Sequence, residues 1–85
     1  MYYIYVLYSI HYPKRYVGCT GDIQRRLTEH NSGKMSFTKR YMPWKLIHSE
    51  GFETLAEARC REKYLKTGAG RRFLKTISNN YSEIV

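Results

Sequence analysis

Eighty-five residues suffice for one small domain with a single core, and the 42% hydrophobic share is close to a globular average. Fifteen Lys and Arg stand against seven Asp and Glu, a formal charge of +8, which makes polyanions the natural partners unless the basic surface serves only solubility. No long basic amphipathic helix favours a membrane surface, and the opening MYYIYVLYS has neither a basic leader nor the length to cross a bilayer, so a cytoplasmic location is expected.

In chain order, Tyr2 to Tyr8 is rich in Tyr, Ile and Val, and Arg15 to Cys19 is a second short β-type run beyond the turn-prone His11 to Lys14. A hairpin centred near Ile10 and His11 sets Tyr5 opposite Tyr16, Ile4 opposite Val17, Tyr3 opposite Gly18 and Lys14 opposite Leu7, close to the tyrosines. Both tyrosine hydroxyls then share one face. The stretch TGDIQRRLTEHNSGK offers Thr20 or Asp22 as N-cap, Ile23 and Leu27 at i,i+4 spacing and Gly33 as a stop, predicting a helix over Asp22 to Asn31. After the basic loop MSFTKRYMP, a strand is predicted over Trp44 to Ser49.

Thr54 with Glu57 forms a capping-box pattern, so the second helix is predicted over Leu55 to Thr67. Gly68 and Gly70 are read as breaks before a last helix over Arg71 to Ile77. The fold class expected is α+β, a small three-stranded antiparallel sheet flanked by helices in the order β-β-α-β-α-α. Cys19 and Cys60 are read as free thiols, and with His11, His30 and His48 scattered no transition-metal cluster is expected.

Glu62 is the chemical anomaly. Leu55, Ala58 and Leu65 define the apolar stripe of the second helix, and Glu62 falls among them in angle. An unpaired carboxylate there needs a compensator, either a metal ion or a salt bridge to Arg59, Arg26 or Lys66. Arg26 and His30, at i,i+4 spacing, share one face of the first helix and form a possible anion clamp; the plainer alternatives are a solvated charge and a histidine capping the helix end.

These parts together resemble the GIY-YIG nuclease superfamily, specifically its small stand-alone bacterial members. Tyr3-Ile4-Tyr5 stands in the place of the first signature and Tyr16-Val17-Gly18 in that of the second. Arg26 follows at the spacing of the catalytic arginine, His30 four residues later, and Glu62 ends the AxxxE of Ala58 to Glu62 that carries the family's metal-binding glutamate. Tyr3 replaces the first glycine, and for the late asparagine of some members Asn79 and Asn80 are poorly placed candidates.

The resemblance implies a divalent-metal-dependent endonuclease acting on DNA, with Mg2+ held by Glu62, Mn2+ as a substitute and no small-molecule cofactor. It also implies a tyrosine-assisted water, Arg26 stabilising the phosphorane and His30 relaying a proton. Nearby cations, Arg26 and Lys14 among them, are expected to favour a phenolate at Tyr5 or Tyr16. Lys14, Thr38, Lys39 and Arg40 are candidates for holding the nucleic-acid backbone, which positions a strand without reading its bases. Two other classes compete: a catalytically weak nucleic-acid-binding module of the same fold, and a small basic domain docking acidic proteins. No appended reading domain is present, so broad or structure-directed substrate choice is expected.

Overall fold

The computed structural model describes the backbone of residues 1–82 and the side chains of residues 1–78. Strands β1 (Tyr2–Ser9), β2 (Arg15–Thr20) and β3 (Trp44–Phe52) form an antiparallel sheet in the order β2-β1-β3. Helices α1 (Ile23–Asn31), α2 (Ser36–Lys39), α3 (Leu55–Leu65) and α4 (Gly68–Ser82) pack around it. The α+β class and the order of the longer elements are as read from the sequence, with the single turn α2 added inside the basic loop.

Because β1 is central, it is covered on both faces, and Ile4, Tyr5, Val6 and Leu7 are all buried. Its alternation then sorts two cores. Ile4 and Val6 join Ile47, Ala58, Leu65 and Leu74 beneath α3 and α4, whereas Tyr5 and Leu7 join Trp44, with Ile23 and Leu27 of α1 packed against them. At about 25 cal/mol per Å² of apolar surface, these layers are the main source of stability.

The hairpin register differs from expectation by two residues. Tyr5 pairs with Gly18, Tyr16 with Leu7 and Tyr3 with Thr20. The Ser9 hydroxyl donates to the Tyr41 carbonyl at 2.6 Å and accepts from the Tyr12 N–H at 3.2 Å, which carries β1 through Ser9 and moves the turn one residue later. An even shift preserves strand parity, so Tyr5 and Tyr16 still share a face, with ring centroids 6.2 Å apart. Lys14 lies beyond the start of β2, its ammonium over the Tyr41 ring at 5.4 Å rather than beside the tyrosine pair.

Helix starts follow local chemistry. The Asp22 carboxylate accepts from the Arg25 N–H and caps α1, and Thr54 and Glu57 form the reciprocal capping box of α3. The last helix begins three residues before the predicted Arg71, at Gly68, because the Thr67 hydroxyl accepts from the Gly70 N–H at 3.3 Å. Gly70 is a packing residue rather than a breaker. A Cβ there would lie 2.3 Å from the Tyr64 carbonyl oxygen and 2.4 Å from Leu65 Cα, so only glycine lets α4 turn so tightly off α3. Strand β3 also runs past the predicted Ser49 to Phe52, since β1 offers pairing partners out to Tyr2.

Helix α3 is held in rotation by a fork of hydrogen bonds. Arg61 donates through Nε and Nη2 to the two Glu50 oxygens at 2.9 and 3.2 Å, and His48 Nε2 lies 2.8 Å from the same carboxylate. Burial pushes Glu50 up, but the hydrogen bonds from Arg61 and His48 outweigh it and hold the carboxyl below its usual range. Ala58 and Leu65 are buried as expected, but Leu55, at the open end of the helix, is exposed.

Candidate active site

A cleft of about 500 Å³ opens beside β2, lined by Tyr5 from β1, Tyr16 and Gly18 from β2, Arg26 from α1 and Glu62 and Lys66 from α3. Four of the five predicted catalytic side chains therefore meet in one space; the fifth, His30, lies fully buried behind Tyr5. Register explains how Tyr5 arrives. It sits opposite Gly18, and a Cβ on that glycine would come within 2.5 Å of the Tyr5 Cζ and hydroxyl oxygen. The missing side chain is the space in which the phenol lies.

Gly18→Ala is accordingly expected to displace that phenol. Overpacking should destabilise the domain by about 1–3 kcal/mol, and misplacing a reacting group should slow any phosphodiester cleavage about 100-fold. A thermal melt beside a nicking assay checks both, and unaltered cleavage would show that the Tyr5 position is unimportant.

The Tyr5 hydroxyl lies 2.9 Å from His30 Nε2, and His30 Nδ1 lies 3.0 Å from Thr38 Oγ1. Thr38 also directs its hydroxyl toward the Met35 carbonyl at 3.5 Å, which leaves its oxygen to accept from His30 Nδ1–H. Nε2 is then bare and accepts the Tyr5 proton. Burial, reinforced by the Arg26 charge, holds the imidazole below its ordinary pKa and so neutral.

Burial pushes Tyr5 up, and the hydrogen bond from Arg26 only partly offsets it. Without a bound metal, the protein's own cations therefore do not outweigh burial, and the Tyr5 phenol is held protonated. Arg26 itself is held more firmly protonated, chiefly through its hydrogen bond to Tyr5, and donates from Nη1 to Glu29 Oε1 at 2.9 Å. Burial, with the Glu62 charge nearby, raises the Cys19 thiol, so it is no ready nucleophile; Cys19 and Cys60 are both free.

Glu62 is three-quarters buried and faces the cleft, and its Oε2 accepts from Lys66 Nζ at 2.9 Å. Of the compensating cations named from the sequence, Lys66 is the one engaged. Among the described residues no group of three or more His, Cys, Asp and Glu is placed to hold a metal ion, and Glu62 is the one carboxylate among those lining the cleft. That donor set in an open cleft fits a hard ion such as Mg2+, which keeps most of its waters and takes other ligands from substrate oxygens.

The backbone-holding candidates divide. Thr38 is buried and engages His30 and, through its carbonyl, the Trp44 indole N–H at 2.8 Å, so it anchors the loop and has no free face for a phosphate. Lys39 and Arg40 are exposed on and after α2 but do not line the cleft. Asn79 and Asn80 lie outside the residues whose side chains are described. Sequence reading missed Gly18 as a steric requirement, although a glycine inside a β-type run was its signal.

Two phenols, a guanidinium and a carboxylate, brought to one cleft from two strands and two helices, make a class of site suited to phosphoryl chemistry. The family model described as the GIY-YIG catalytic domain matches residues 1–75, and the chain belongs to that family. The nucleases of this family act on nucleic acid and generally use divalent metals.

A UPF0213 protein of Staphylococcus saprophyticus is 39% identical over 64 residues, covering 74% of this chain and 78% of that one. Another from Clostridium perfringens is 34% identical over 80 residues, covering 93% and 85%. With a UPF0213 protein of Streptococcus pneumoniae the identity is 46% over 52 residues, 60% of this chain, which there spans about half (52%) of the relative's length. The solution structure of a UPF0213 protein from Bacillus halodurans superposes with a TM-score of 0.53 at 28% identity, covering 91% of this chain and 85% of that one.

Proposed function

We propose that this chain is a divalent-metal-dependent endonuclease that hydrolyses DNA phosphodiester bonds. The observation that carries the reading is the convergence of Tyr5, Tyr16, Arg26 and Glu62 from four elements on one open cleft. A structural ion pair would account for Glu62 and Lys66 alone, but not for a glycine-made berth that points a buried phenol at the same space.

Glu62 would hold the metal, which when bound supplies Lewis-acid polarisation of the phosphate and neutralises part of its charge. The protein's own groups account for the remaining steps. As water attacks phosphorus, its proton passes to the Tyr5 oxygen while the Tyr5 proton passes to His30 Nε2, so the phenol relays without becoming a free phenolate. The P–O bond to the leaving sugar oxygen then breaks, that oxygen takes a proton from solvent water, and His30 returns its extra proton to solvent by way of the Tyr5 hydroxyl. Arg26, beside the Tyr5 hydroxyl, donates to the equatorial oxygens as negative charge builds on them. Tyr16, whose ring centroid is 4.6 Å from that of His30, walls the site and orients the water or the phosphate.

Nicking of supercoiled plasmid tests this reading. Cutting is expected with Mg2+ or Mn2+, absent with chelator, and reduced at least about 100-fold in Glu62→Ala. Equal residual cutting by wild type and variant indicates contamination, and DNA binding without any cutting indicates a non-catalytic module.

A further inference from the structure

A second groove, about 700 Å³, adjoins the cleft and shares Tyr16 and Lys66 with it. Its walls come from the hairpin, α2, the end of α3 and α4, and its charges are Lys14, Arg15, Lys66, Arg71 and Lys75, with no carboxylate among the lining residues. Among the described residues, Lys14, Arg15, Arg71 and Lys75 have no ion-pair partner. Arg15 instead donates to the Ser78 hydroxyl at 3.4 Å, which aims it along α4. Arg71 and Lys75, one helical turn apart, flank Leu74 on the groove side of that helix. Like charges held this close in one concave surface repel one another unless an anion lies between them.

Aromatic rings continue out of the cleft along the same route. Tyr5 neighbours Tyr16, Tyr16 neighbours Phe37 at 6.3 Å, and Phe37 neighbours Tyr41 at 5.5 Å. Phe37 is 50% exposed at the groove wall. Cations that follow a backbone beside an exposed ring that accepts a base are the combination by which unpaired strands are held; a duplex keeps its bases stacked inside and has no use for the ring.

We infer that this groove holds an unpaired nucleic-acid strand flanking the scissile phosphate, with backbone phosphates on Arg15, Arg71 and Lys75 and a base against Phe37. The inference rests on the nuclease reading for its direction, since the shared Tyr16 and Lys66 place the strand's continuation in the cleft. It also replaces Thr38 with Phe37 as the contribution of α2 to strand holding.

The test is fluorescence anisotropy of a short labelled oligodeoxythymidylate and of a blunt duplex, in chelator so that nothing is cut. Arg71→Ala combined with Lys75→Ala should weaken single-strand binding about tenfold and lower the salt slope of the affinity by about 1.4, the share of two phosphate contacts. Phe37→Ala should weaken single-strand binding about tenfold and leave duplex binding nearly unchanged. Lys34→Ala, exposed and outside the groove, is the control.

All three groove positions are exposed, so folding should survive, and thermal melts verify it. Undiminished strand binding in the groove variants, or a preference for duplex that Phe37→Ala does not alter, overturns the inference. Metal-dependent nicking separates the two readings. If wild type nicks while the groove variants bind the strand undiminished, the groove falls and hydrolysis stands; if wild type never nicks but those variants lose the strand, the groove stands and hydrolysis falls.

Discussion

Tyr5→Phe is expected to reduce metal-dependent nicking about a thousandfold, within the range for losing a positioned acid–base group. The ring remains to fill the space over Gly18, so packing is retained. The hydroxyl's loss leaves His30 Nε2 buried without its 2.9 Å partner, at a cost of about 1–3 kcal/mol. A variant that cuts at the wild-type rate would remove Tyr5 from the chemistry.

The proposed relay predicts a pH dependence. His30 accepts a proton only while Nε2 is bare, and burial and Arg26 hold its pKa below the ordinary 6.5. The groups facing it are Tyr5, Tyr16, Arg26 and Glu29. Cleavage should therefore be at full rate above that ordinary value and decline as pH falls through the lowered one. Stability carries the same sign. The unfolded chain binds the His30 proton more readily, so the stabilising contribution is fully present above 6.5 and is lost as pH falls through the folded value. Melting curves across the pH series distinguish titration of the relay from unfolding.

Arg26→Ala should cost about 100- to 1,000-fold, mainly in kcat, because the guanidinium's contribution grows as charge develops on phosphorus. Arg26→Lys is expected to restore little. The planar fork serves the Tyr5 hydroxyl and Glu29 and would still have N–H groups for a phosphate oxygen, whereas an ammonium is a single point charge on a flexible stem. Single-turnover rates for the three proteins decide this, and a lysine variant as fast as wild type would show that charge alone suffices.

Much of this arrangement is readable in the residue order because it is local or periodic. The Tyr, Ile and Val run of β1 and the capping box of α3 declare themselves, and parity puts Tyr5 and Tyr16 on one face even when the register is misjudged by two. Glu62 stands out because it falls beside the buried Ala58 and Leu65. The remainder depends on distant partners. His30 looks like a helix-end residue until Thr38, eight residues on, folds back over it. Gly70 resembles a breaker because its function is the close approach of α4 to Leu65. The basic groove draws on positions 14 and 15, 66, 71 and 75; only 71 and 75 share a helical spacing, and the others join them once the hairpin and α4 are packed.

The chain's one tryptophan, Trp44, is buried at the start of β3 and donates its indole N–H to the carbonyl of Thr38, whose hydroxyl meets His30. Asn31 binds the Trp44 backbone on both sides, through its N–H at 2.6 Å and its carbonyl at 3.0 Å. An intrinsic fluorophore is thus wired to the floor of the Tyr5–His30–Thr38 hydrogen-bond chain. Its emission reports on the seating of the short helix beneath the Tyr5 phenol, without a dye, a label or a substrate.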